Sequence, residues 1–215
     1  NVEQLQTLIN DPVKAVRITA AWALINQLPE DSEVFREVTA YIEHTSDQPS
    51  GAMRQAELFI RRGEYPKAAP WFEKAVAWDS SSAPTHEAFA VYLNQMGKQA
   101  EGLEQLQKAA ELDPNNSRYP YLLGLGYGEI GKQAEAQKAF AKAVELEPRY
   151  ARAHYNLGLL LAADEKLAEA VAAIQNAELA DPNTPEYPYA RATIHLRQGD
   201  TEAAMEAAAR SLQID

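Results

Sequence analysis

Through most of this chain, apolar residues recur at intervals of three and four, the signature of helices that bury one stripe. The periodic stretches fall into pairs, and the punctuation between them repeats. Gly63, Gly97, Gly131 and Gly199 each follow the first stretch of a pair and lie 34, 34 and 68 residues apart. Glycine suits the left-handed turn that ends a helix, because it has no Cβ to clash. Five places after each turn comes a small residue, at Ala68, Gly102, Ala136, Ala170 and Ala204. Seven places further on come Ala75, Ala109, Ala143, Ala177 and Ser211. Pro114, Pro148 and Pro182 close the second stretch, which a proline cannot continue. A fixed period of this length predicts an all-α chain of stacked helix pairs, each burying its apolar faces only against its neighbours.

The register divides the chain into 49–82, 83–116, 117–150, 151–184 and an incomplete 185–215. The third unit carries Leu123, Gly124 and Tyr127 on its first helix, Ala136, Phe140 and Ala143 on its second, and Pro148 at its end. The fourth carries Leu157, Gly158, Ala170, Ala177 and Pro182, with Leu161 and Ile174 in the aromatic places. The first carries Phe59, Gly63, Ala68, Phe72 and Ala75, with Ser80 in place of the proline. This pattern resembles the tetratricopeptide repeat family. The resemblance implies a right-handed α-solenoid of stacked antiparallel helix pairs, with about four and a half repeats over 49–215. Two departures carry structural expectations. Glu165 takes the fourth unit's glycine place, which predicts a strained or rebuilt turn. Pro70 lies beyond the first turn of its helix, which predicts a bent or shortened start. Tyr119-Pro120-Tyr121 recurs as Tyr187-Pro188-Tyr189, each proline falling in a helix's first turn.

Residues 1–48 do not follow the period. They predict a helix from Val2 to Ile9, a second opening at Asp11-Pro12 with Val16, Arg17, Ala20, Ala21 and Leu24 in helical spacing, and a third from about Ser32 to His44. The second resembles a helix of a HEAT repeat, so 1–48 is expected to form a three-helix, HEAT-like segment ahead of the array. The chain opens inside a repeat without methionine and stops one place before the next closing proline. It reads as a piece of a longer protein.

Composition removes several kinds of chemistry. There is no cysteine for a disulfide, a thiol nucleophile or a thiolate metal site. No apolar run approaches the roughly 20 residues that span a bilayer, so membrane insertion is not expected. The expectation is a soluble chain of the cytoplasm or periplasm. The net charge of −11, with no basic stripe, argues against nucleic acid. His86 and His154 take the place of a large packing residue, and His195 takes an aromatic place, so all three read as packing groups. His44 stands near a helix end. No helical zinc spacing, nucleophile elbow or phosphate loop is present, and Leu123–Gly128, though glycine-rich, lies within a helix. No catalytic residue, metal or cofactor is expected.

The resemblance to tetratricopeptide repeats implies a concave wall lined by the first helix of each unit. That geometry places Met53, Arg54, Glu57 and Ile60 on the wall, followed by Glu87, Val91, Asn94 and Gln95. It then places Arg118, Tyr121, Leu122, Leu125 and Glu129, then Arg152, Tyr155, Asn156 and Leu159, and finally Tyr189, Thr193, Leu196 and Arg197. Tyr121, Tyr155 and Tyr189 would form a ladder, with Leu122, Leu125 and Leu159 beside them. Asn156 would hydrogen-bond an extended backbone, and Arg118 and Arg152 would add charge at the edge. The expected function is a non-catalytic scaffold that binds a peptide or partner protein there. The chaperone-tail clamp of some relatives is not expected, because Met53, Glu57 and Ala88 occupy its places. Two alternatives stand beside this reading. One is the scaffolding tail of a larger enzyme or multihaem cytochrome-like electron-transfer protein. The other is a homodimer through the alanine-rich C-terminal helix 201–214.

Overall fold

The computed structural model describes residues 2–214, among which there are thirteen helices and no strand. They form two compact units, one ending at Phe89 and the other beginning at Ala90.

The first unit opens with α1 (Val2–Leu8), α2 (Lys14–Ala23) and α3 (Glu33–His44), close to the bounds expected from periodicity. Ser32 caps α3, its Oγ accepting the Phe35 N–H at 3.2 Å. Ala21, Ile25, Phe35, Val38, Ile42 and Leu58 form one apolar core. Arg17 ties α2 to α3 by donating from Nε and Nη2 to the two Glu37 oxygens at 3.0 and 2.7 Å. Next come α4 (Pro49–Arg61), α5 (Tyr65–Trp78) and α6 (Ala83–Gln95). α4 and α5 pair, and Phe72 of α5 stacks on Phe89 with ring centroids 5.5 Å apart. Pro70 does not shorten α5, which has fourteen residues like the second helices of the later pairs. Burial of Ala68, Phe72 and Ala75 on one face outweighs the hydrogen bond that the proline forgoes.

The second unit continues with α7 (Gln99–Leu112), α8 (Arg118–Glu129), α9 (Gln133–Leu146), α10 (Ala151–Ala163), α11 (Leu167–Ala180), α12 (Glu186–Gln198) and α13 (Thr201–Ile214). α8–α9, α10–α11 and α12–α13 are hairpins, and α7–α8, α9–α10 and α11–α12 join successive layers. The periodic small residues explain how the helices approach. Ala136, Ala143, Ala170 and Ala177 are fully buried, and Phe140 and Ile174 fill the space beside them. A Cβ on Gly124 would stand 2.7 Å from the Phe140 ring, and one on Gly158 would stand 2.7 Å from Ile174. The four periodic turn glycines have φ between +72° and +79°. In the third unit's turn, Gly131 N–H bonds to Gly128 O and Lys132 N–H to Tyr127 O, the Schellman arrangement. The fourth builds the same turn on Glu165, whose N–H bonds to Ala162 O while Lys166 N–H bonds to Leu161 O.

Candidate functional site

His86 and His154 hold loops in place. Each is buried and sets Nε2 against a carbonyl six residues back, Ser80 O at 3.2 Å and Pro148 O at 3.0 Å. His195 departs from its expected packing place. It is only half-buried, with Nδ1 3.1 Å from Gln198 Oε1. Among the described residues, no group of three or more His, Asp or Glu is placed to hold a metal ion, and no helix is long and apolar enough to cross a membrane.

The expected ladder of tyrosines divides. Tyr121 is half-buried, with its ring centroid 5.8 Å from Phe140 and 4.8 Å from Tyr150. Tyr155 is half-buried against Tyr187 at 5.1 Å. Burial pushes the phenols of Tyr150, Tyr155 and Tyr187 above the ordinary tyrosine value, so they stay neutral hydroxyls at physiological pH. Tyr189, in the last described hairpin, is 64% exposed. The first two rungs are therefore contacts within the stack, and only the third presents its ring to solvent. Tyr150 and Tyr187 were not expected to take part. Their one signal in sequence is an aromatic at the start of a first helix.

What the first helices do present is aliphatic. Val91, Leu125 and Leu159 occupy one register, 34 residues apart, and are 46%, 38% and 40% exposed. Leu196 on α12 is 60% exposed. Leu122 and Asn156 are half-buried, and Arg118 and Arg152 are exposed. The Asn156 amide makes no side-chain hydrogen bond among the described residues, and Arg152 makes no ion pair there. Arg197, placed on the same wall by sequence, is engaged instead. Its Nη2 donates to Ala162 O and to Glu165 Oε1, both at 2.8 Å, and so closes the end of α10. Asn94 also turns toward the second helix, since a Cβ on Gly102 would lie 2.3 Å from its Oδ1.

A family model for the tetratricopeptide repeat matches residues 121–188 and 163–215. No curated protein matches the chain. Solved structures share the fold at low identity. MamA from Desulfovibrio magneticus RS-1 is 22% identical, with 78% of this chain covering 95% of that one at a TM-score of 0.69. YrrB, described as a TPR protein with an unusual peptide-binding site, is 22% identical over 82% of this chain and 91% of its own, with a TM-score of 0.67. Pseudomonas aeruginosa pilF is 23% identical over 78% and 76%, with a TM-score of 0.64. Paired helices, buried small residues and repeated Schellman turns give this chain the same α-solenoid architecture as those structures. Over residues 121–215 the chain matches the tetratricopeptide repeat, and the solved structures share its fold.

Proposed function

We propose that this protein binds an extended or helical peptide of a partner protein along the first helices of its repeats, which occupy 49–215 behind the helical segment 1–48. The observation that carries the reading is the register of Val91, Leu125 and Leu159. Three apolar side chains at one repeat position remain exposed while their neighbours at the small-residue positions are fully buried. Apolar positions exposed in series and rimmed by polar groups are a usual mark of partner sites. Arg118, Arg152 and Asn156 supply the rim, Leu122 deepens it, and Tyr189 offers a large contact area with few rotatable bonds. Tyr121 and Tyr155 shape the site from beneath through their ring contacts. YrrB, alike in fold, is a TPR protein with a peptide-binding site, which agrees with this use of the scaffold.

The packing also selects the test. Alanine at Tyr121 or Tyr155 would remove ring contacts inside the stack, so lost binding would be confounded with lost stability. Leu125→Ser/Leu159→Ser changes exposed side chains only. Peptides selected from a displayed library on the unmodified protein are expected to lose about tenfold or more in affinity for this variant at unchanged helicity. Equal affinity for both proteins would sink the assignment. Self-association through α13 is the second reading, favoured by the exposure of Met205 and Leu212 on that helix. A monomer mass independent of concentration in sedimentation would remove it.

A further inference from the structure

In the unit that ends at Phe89, α2 and α4 both pack on α3. A cavity of about 660 Å³, open to solvent, is lined by all three. Its floor is Val38 and Ile42 of α3, its wall is Ile18 and Trp22 of α2, and Lys14 and Arg54 stand at its edge. The volume lies within the range of binding pockets, which characteristically combine apolar walls with a few polar groups. From Lys14 to Trp22 it runs about 12 Å along α2 at the helical rise, long enough for a chain segment to lie in.

The rings around it are held in place. The Arg61 guanidinium lies 4.9 Å from the Trp22 ring centroid. Arg54 lies 5.8 Å from the centroid of Tyr41, also a lining residue, and donates to its hydroxyl at 3.3 Å. The cavity is thus bounded by oriented side chains, so less ordering is required when a ligand enters.

Its charge is of one sign. Lys14 and Arg54 are the charged lining residues, both are exposed, and among the described residues neither forms an ion pair. On the same helices Glu37 is engaged by Arg17 and Glu57 by Arg61, each at 2.7 Å. The chain as a whole carries −11. A cationic edge complements an acidic peptide segment.

We propose that this cavity docks an acidic peptide segment of a partner protein. One bulky apolar side chain seats between Ile18, Trp22 and Val38, and flanking carboxylates meet Lys14 and Arg54. None of its lining residues belongs to the Val91, Leu125 and Leu159 register that carries the reading above.

The test uses a short fluorescein-labelled peptide of glutamate and alanine with one central leucine, titrated by fluorescence anisotropy against the full chain. Saturable binding is expected, weakened roughly tenfold or more by Lys14→Glu/Arg54→Glu and by replacing the peptide's leucine with alanine. Binding should be unaffected by Leu125→Ser/Leu159→Ser. Both charge-reversed side chains are exposed and in no ion pair among the described residues, and circular dichroism checks that the helices persist. No saturable binding to the unmodified chain would overturn the proposal, as would equal binding by the charge-reversed variant. Loss on the Leu125/Leu159 variant alone would overturn it too, assigning the peptide to the repeat wall.

Discussion

At Glu165 the backbone adopts φ of +59°, the one positive value among described residues that are not glycine. An L-residue there brings Cβ toward the following carbonyl at a cost of about 1–2 kcal/mol. Arg197 offsets part of that cost by joining the Glu165 carboxylate and the Ala162 carbonyl. Both side chains of this ion pair are largely exposed, so its loss should cost only a few tenths of a kcal/mol. Glu165→Gly is therefore expected to raise unfolding stability by about 0.5–1 kcal/mol, net of the greater entropy of glycine in the unfolded chain. A urea midpoint that stays put or falls would show that the Arg197 contact outweighs the strain. This departure was readable from the 34-residue register because turn chemistry is local. The fates of Tyr121, Tyr155 and Tyr189 were not. They share one register position, yet two are covered by rings from other helices and one is open.

Among the elements, α2 and α3 depend on charge as well as packing. The Arg17 hydrogen bonds hold the Glu37 carboxyl below its ordinary value of 4.5. A carboxyl depressed in the folded state contributes stability above its unfolded value and loses it as pH falls through the folded one. Acidification below about 4.5 should therefore loosen the unit that ends at Phe89, with Glu37→Gln flattening that part of the pH profile. Urea midpoints at neutral and acid pH provide the check, and parallel profiles for the two proteins would refute the linkage. α5 shows the limit of local rules at this scale. Pro70 was expected to bend or shorten its start, but the helix keeps its full length, with three of its residues buried on one face.

For the whole molecule, the distribution of reporters gives a direct test of how stability is shared. All three tryptophans, Trp22, Trp71 and Trp78, precede Phe89, whereas helices occupy both units. α1 buries no residue, and α2 has 10 residues, fewer than any helix of the later hairpins. Stacked repeats gain stability from nearest neighbours, so unfolding need not be all-or-none. The tryptophan fluorescence transition is expected at lower urea than the circular dichroism transition. Coincident curves would show that the chain unfolds as one cooperative body.

The 34-residue period, the glycine turns and the small-residue positions were enough to specify helix pairs, their order and the faces they bury. Each rests on interactions within a few residues, or on a rule that repeats identically along the chain. The exposed register of Val91, Leu125 and Leu159, the covering of Tyr121 and Tyr155, the engagement of Arg197 with α10 and the cavity of α2, α3 and α4 were decided by tertiary structure. In each case, whether a side chain is covered or open depends on atoms from a distant part of the chain. Periodicity assigns a residue to a face but does not say what stands opposite it.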